Sequence, residues 1–177
     1  MKKFMFLVIL VIISVSCGES RVDIRFNDDF REFKENGVWK ATWDGSPFTG
    51  TSYTYGYDEK TQTKVLAFEN HYEDGKKSGF SFTRHYNGEI ASEANWKNGQ
   101  LNGLLINYFS NGVKQDSCNF KDGKEFGLYR KWWKHNGLLE REVNYKDGKK
   151  NGFKRIWDRN GVLRVEDNYK DDKKIRN

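Results

Sequence analysis

From position 72 onward, apolar and polar residues alternate in runs of about eight, the length of a β-strand. In the run after Gly88, Ile90, Ala94 and Trp96 share one parity, while Ala91, Glu93 and Asn95 share the other. The later runs match: Cys118 and Phe120 stand against Ser117 and Asn119, Leu139, Val143 and Tyr145 against Glu142 and Asn144, and Leu163 and Tyr169 against Glu166 and Asn168. Side chains on a strand alternate sides, so the same face stays apolar each time. The runs are also in phase. The aromatics opening each copy fall at 72, 96, 120, 145 and 169, giving spacings of 24, 24, 25 and 24. Such a period marks a repeat array.

Glycines punctuate every copy. A charged turn ends in Gly75, Gly99, Gly123 and Gly148, a second glycine follows at Gly79, Gly103, Gly127 and Gly152, and an Asn-Gly pair ends at Gly88, Gly112, Gly137 and Gly161. Asn-Gly between alternating runs predicts a two-residue type I′ turn, and the Lys-rich stretch Asp74–Gly79 predicts a longer return turn. Each copy is thus a β-hairpin with one face to bury, and neighbouring hairpins laid edge to edge share one sheet. The fold class is all-β: an elongated, single-sheet antiparallel meander of tandem hairpins.

The predicted copies span about 43–71, 72–95, 96–119, 120–144 and 145–168, with a partial copy at 169–177, so the array occupies 37–177. Gly37–Trp43 alternates as a strand. Upstream, Asp28–Lys34 reads either as a short helical turn with Phe30 and Phe33 on one side, or as part of an irregular cap hiding the first sheet edge. The first copy is long: 30 residues separate Gly45 from Gly75, and the surplus falls in a polar loop around 57–64. The single proline, Pro47, lies in the return turn of that copy, where a missing donor does no harm.

The layout resembles the MORN repeat, in its variant with D-G-K-x-x-G and N-G-x-L. Asp74–Gly79, Asp147–Gly152 and Asn160–Leu163 carry the resemblance, and Asp44–Thr51 is similar to its opening copy. The resemblance covers roughly residues 37 to 172. It implies spacers and interaction surfaces in unrelated settings, and many proteins with this variant carry an antitoxin label.

The N-terminus reads as a targeting segment. Lys2 and Lys3 precede the apolar run Phe4–Val15, twelve residues long, which suits a signal-peptide core better than a membrane span. Ser16-Cys17 at its end resembles a bacterial lipoprotein cleavage box, with Ser14 where Leu is more usual. That resemblance implies a signal peptide over 1–16, acylation of Cys17, a tether or cap over 17–36, and a mature protein anchored in the cell envelope, facing the outer membrane or periplasm. The alternative is an ordinary signal peptide. Cys118 is the one other cysteine, so acylation of Cys17 leaves no disulfide framework, and Cys118 takes the place that Ala94 and Val143 hold in other copies.

Charge is uneven. The whole chain has 31 basic and 25 acidic residues, yet residues 18–120 sum to −3 and residues 121–177 to +7. The basic end also holds Trp132, Trp133 and Trp157, a composition that invites nucleic acid, anionic lipid or polysaccharide. The lysines crowd into return turns, where they keep edges soluble, and an exported lipoprotein rarely meets nucleic acid, so none is expected as a partner. Tyr108, Trp133 and Trp157 each precede the Gly of their Asn-Gly by four residues, so their rings are expected to stack as a ladder across hairpins. With Trp132 they form a candidate binding surface for a sugar or peptide. Asn95, Asn119, Asn144 and Asn168 recur at one position, with Glu93, Ser117, Glu142 and Glu166 two residues earlier; these are expected to bond turn backbone and to pair with cross-strand Lys or Arg.

No histidine pair has ligand spacing, no Cys-x-x-Cys occurs, and no nucleophile elbow or phosphate loop appears, so neither a metal, a cofactor nor a catalytic group is expected. The expected function is a non-catalytic, membrane-anchored scaffold binding a protein or envelope component. The alternatives are an antitoxin or immunity protein that covers a toxin, and a purely structural envelope spacer. The free edge at 169–177 also admits an edge-to-edge dimer.

Overall fold

The computed structural model describes residues 20–23, 29–57, 61 and 63–175. The described residues contain strands and turns but no helix. In chain order they are β1 (Ser20–Asp23), β2 (Phe30–Glu35), β3 (Val38–Trp43), β4 (Ser46–Pro47), β5 (Gly50–Tyr57), β6 (Lys64–Glu73), β7 (Lys76–Arg84), β8 (Ile90–Lys97), β9 (Gln100–Tyr108), β10 (Lys114–Lys121), β11 (Lys124–Trp132), β12 (Leu139–Lys146), β13 (Lys149–Trp157), β14 (Leu163–Lys170) and β15 (Lys173–Ile175). From β5 to β15 each strand pairs antiparallel with the next, an open meander. β1 adds to β5 in parallel, the one such pairing among the described strands. The targeting segment, Cys17 and the tip of the first hairpin loop lie outside the described residues.

Of the two readings of the stretch Asp28–Lys34, the helical turn gives way to strand β2, which pairs with β3 from Phe30↔Trp43 to Glu35↔Val38. Residues three apart face opposite sides of a strand, so Phe30 is buried while Phe33 stays 40% exposed.

The two kinds of turn are the reverse of the sequence expectation. The charged turn is the tight one: Asp74 and Gly75 have φ of 47° and 71°, Asn98 and Gly99 52° and 75°, Asp147 and Gly148 52° and 78°. Both central residues being left-handed is the type I′ pattern. At the turns ending in Gly88, Gly112, Gly137 and Gly161 only the glycine is left-handed. The His85 N–H donates to Glu89 O (2.9 Å) and the Gly88 N–H to His85 O (3.0 Å), closing a three-residue loop with Gly88 as its bulge. This leaves the Asn side chain free to reach the next repeat. Asn87, Asn111 and Asn136 donate through Nδ2 to the carbonyls of Ser110, Lys134 and Arg159 at 2.6, 3.0 and 2.8 Å. The third such turn is one residue longer, closed by Trp133 N–H to Leu138 O, and this absorbs the 25-residue spacing.

The second glycine of each copy marks a bulge. Between β6 and β7 the register passes from His71↔Ser78 to Glu69↔Phe82, so β7 carries two extra residues around Gly79. The same slip occurs at Gly103, Gly127 and Gly152. Two extra residues preserve side-chain parity, so the ribbon bends without exchanging its faces. The recurrent Asn packs over this bulge rather than over a turn. Asn95 Nδ2 donates to Leu104 O (3.3 Å), and its Cβ lies 3.0 Å from where a Cβ on Gly103 would stand.

The sheet has two faces. On the first, small side chains are buried under their neighbours: Ser81, Ala94, Cys118 and Val143. The β2–β3 hairpin caps this face over the first repeats. Phe30, Phe48 and Tyr72 meet there with ring centroids 5.4–6.0 Å apart, beside the fully buried Ala41. Burying each such ring contributes about 1.5–3 kcal/mol. β3 also docks on the row of tight turns, where the Trp39 and Ala41 N–H groups donate to the carbonyls of Gly99 and Gly75, both at 2.8 Å. Beyond the cap the turns bond one another: Gly123 to Leu101 O and Gly148 to Glu125 O. The opposite face has no described element over it.

Candidate interaction surfaces

The open face is built from three repeat positions. Phe80, Leu104, Leu128 and Phe153 each follow a bulge glycine, and each lies opposite the recurrent Asn of the next strand: Asn95, Asn119, Asn144 and Asn168. A row alternating apolar side chain and Asn therefore crosses the sheet. Phe80 is 46% exposed and Leu104 40%. Two residues on stand Phe82 and Ile106 in the first two copies and cross-strand polar pairs in the next two: Arg130 Nε donates to Glu142 at 2.8 Å and Arg155 Nε to Glu166 at 3.0 Å. Arg155 also lies 4.2 Å from the Phe153 ring centroid. Arg84, Tyr108, Trp132 and Trp157 end the third row, each the last residue of its strand. The Tyr108 hydroxyl donates to Glu93 at 2.8 Å, and burial, then that carboxylate, pushes the phenol up to about 12.

Trp133 does not belong to this row. Because its turn is one residue longer, counting back from the glycine mis-phases it, and Trp132 is the equivalent of Tyr108 and Trp157. Trp133 opens the turn, donates through Nε1 to Asp158 O (3.2 Å) and has Arg159 over its ring at 5.5 Å. The expected ladder of stacked rings is absent too: Tyr108, Trp132, Trp133 and Trp157 make no ring contact with one another. Equivalent residues recur every second strand, about 10 Å apart, beyond the reach of aromatic pairing. The surface is a spaced set of anchors.

The capped face supplies a second set that the sequence reading missed. At the cap, the Tyr72 hydroxyl donates to Glu32 Oε1 (2.6 Å) and Lys77 Nζ lies 3.7 Å from the same oxygen. Burial pushes the Tyr72 phenol up, with Glu32 adding to it; burial pushes Lys77 down, with Glu32 opposing. Further along the same face, a cavity of about 310 Å³ opens among Tyr129, Arg141, Tyr145, Lys150 and Lys154, with Glu125 and Val143 completing the wall. The Nε of Arg141 is buried there without an acceptor. The repeated motif Y-x-D-G-K-K-x-G was the signal for this place; it occurs at Tyr72–Gly79 and Tyr145–Gly152.

The histidines do not converge. His85 Nε2 donates to Tyr108 O, and His135 sits 6.3 Å from the Trp133 ring. His71 bridges Thr51 Oγ1 (2.9 Å) and Glu69 (3.2 Å), an order of groups found in nucleophilic relays. Thr51 is 2% exposed, so its hydroxyl has no room for a substrate. Cys118 is likewise buried, donating to Asn119 O, with its thiol pushed up to about 11 by burial and then by Glu125. Among the described residues no group of three or more His, Cys, Asp or Glu is placed to hold a metal ion, and no helix is long and apolar enough to cross a membrane.

Residues 154–171 match the sequence model of the MORN repeat variant. The matched piece runs from the bulge of β13 through the Asn-Gly turn and β14 to the next tight turn, and the same structural unit recurs at 81–98, 105–122 and 129–147. No curated protein matches the chain. Among solved structures, a mutant of S. aureus TarM in complex with fondaparinux, α-GlcNAc-glycerol and UDP aligns over 70% of this chain at 10% identity and a TM-score of 0.33, too low to carry an argument. The aligned part is 21% of that chain.

Proposed function

We propose that this MORN-variant repeat ribbon is a non-catalytic scaffold, held at the cell envelope by lipid on Cys17, that binds a protein through its open face. The observation that carries the reading is the apolar row Phe80, Leu104, Leu128 and Phe153, its first two members exposed and its last two partly buried, on a face over which no described element lies. From β7 to β13 the row spans about 30 Å, and with strands about 20 Å long it offers roughly 600 Å² to one partner, near the lower range of specific interfaces. Tyr108, Trp132 and Trp157 border it as larger anchors, a residue class that dominates binding energy. The paired Arg130–Glu142 and Arg155–Glu166 fix orientation more than affinity. An antitoxin is the special case in which the partner is a toxin.

The test is a triple variant, Phe80→Ser, Leu104→Ser and Phe153→Ser, expressed from the full gene. Membrane pull-downs from cells carrying the native chain should recover a stoichiometric protein that the triple variant loses, while circular dichroism stays unchanged. Equal recovery by both would refute the open face as the contact surface. Separately, Cys17→Ala should move the protein from the membrane to the soluble fraction; unchanged partition without an acyl label would remove the anchor.

A further inference from the structure

The cap's hold on the first repeat is a template for a second site on the same face. Tyr72 and Lys77 are cross-strand partners, and so are Tyr145 and Lys150. Both lysines are held alike, Lys77 over the Trp96 ring at 4.6 Å and Lys150 over the Tyr169 ring at 5.4 Å, each the aromatic that opens the following copy. The intervening copies have Trp96 with Leu101 and Phe120 with Glu125, so they lack the hydroxyl and the ammonium. At the first site the pair grips Glu32, a carboxylate on the extended strand β2. At the second, no described element takes the place of β2.

We infer that the cavity at Tyr145 and Lys150 is a receptor for a carboxylate side chain on an extended segment of a partner polypeptide, gripped as Glu32 is gripped at Tyr72 and Lys77. Charge supports this. Arg141, Lys150 and Lys154 line the cavity against the single carboxylate of Glu125, and none of the three cations is in an ion pair among the described residues. Among the described residues the Tyr145 hydroxyl makes no hydrogen bond, whereas that of Tyr72 is bonded to Glu32. Arg141 has the strongest need: its Nε is buried with no acceptor, and a buried donor left unpaired is costly until a ligand satisfies it. A carboxylate entering between Arg141, Lys150 and the Tyr145 phenol meets all three with charge-assisted bonds. An extended peptide also suits the dimensions, since the cap shows an extended strand from which Phe30 and Glu32, two residues apart, both reach Tyr72 on this face. The inference does not depend on the open face, which lies on the other side of the sheet.

The probe is a capped synthetic peptide with the sequence of residues 29–36, titrated into the full chain carrying ring-labelled tyrosine and followed by NMR. The Tyr145 resonance should shift with the peptide, and the shift should weaken with added salt. Losing one charge-assisted contact corresponds to about tenfold in affinity. The peptide with Glu32→Gln, the variant Lys150→Ala and the milder Tyr145→Phe, which keeps the ring and is read through a labelled Lys150, should each show that loss, with the Tyr72 resonance unchanged as a check on the fold. Equal binding by the Gln peptide, or binding untouched by Lys150→Ala, overturns the proposal, as does no shift at about 5 mM peptide, where even millimolar affinity is visible. Acetate alone binding as tightly as the peptide would make the site a free-anion site and overturn the polypeptide assignment. A shift accompanied by dimerisation of the chain, with the peptide competing, would show a second copy's β2 to be the occupant and overturn the partner assigned here.

Discussion

Replacing Gly99 and Gly123 by alanine, one at a time, separates what a tight turn needs from what the cap needs. Both glycines occupy the second position of a type I′ turn, with φ of 75° and 76°. Both lose the same unfolded-chain freedom on mutation, so that contribution cancels in the comparison. Placing an L-residue there costs about 1–2 kcal/mol in either turn. The surroundings differ. A Cβ on Gly123 would have its nearest neighbour, Gln100 Cβ, at 3.7 Å, an ordinary contact. A Cβ on Gly99 would stand 2.4 Å from Val38 Cγ1 and 2.5 Å from Trp39 O, so the cap strand must move away. Overpacking of this kind costs about 1–3 kcal/mol, and weakening the Trp39 N–H bond to Gly99 O adds about 1 kcal/mol. The expected excess for Gly99→Ala is therefore about 2–4 kcal/mol. Because a repeat array opens locally, native-state hydrogen exchange is the suitable assay. In Gly99→Ala the Trp39 amide should exchange at least about 30-fold faster, the equivalent of 2 kcal/mol, and in Gly123→Ala it should not change. Gly75→Ala, whose Cβ would lie 3.0 Å from Pro47 Cβ and 3.1 Å from Ala41 O, should fall between. Equal effects of the Gly99 and Gly123 substitutions at Trp39 would refute the docking of β3 on the turn row.

Two further outcomes follow from the buried polar groups. With its thiol pushed to about 11, Cys118 should be alkylated by iodoacetamide at pH 8 about a hundredfold more slowly than a free thiol, with normal reactivity in denaturant; native labelling at the free-thiol rate, read on the peptide containing Cys118, would contradict its burial. The Tyr108 phenol, raised from 10.0 to about 12, holds its proton more tightly folded than unfolded, so its bond to Glu93 is fully present below pH 10 and is lost as pH rises towards 12. Its ring resonance should titrate in that window, and Glu93→Gln should lower the midpoint without returning it to 10, because burial is the larger cause.

What the sequence determined by itself is everything governed by period two and by local backbone chemistry. Alternation around Ala94, Cys118 and Val143 specified the strands and their buried face, because side-chain direction on a strand is set residue by residue. The phase of the opening aromatics specified the array. The tertiary structure decided what depends on bonds between distant segments. Asp-Gly and Asn-Gly both tolerate left-handed backbone, so which became the two-residue turn was settled by cross-strand register and by the Asn side chains reaching the next repeat. The extra residue in the third turn, invisible to counting from its glycine, put Trp132 rather than Trp133 in the row with Tyr108. The strand at Phe30 owes its form to partners at Trp43 and Tyr72, and the hold of Trp39 on Gly99 links residues 60 apart with no local signature. The cavity at Tyr145 belongs to the same class: its residues come from three strands, and only the folding of the ribbon gathers them.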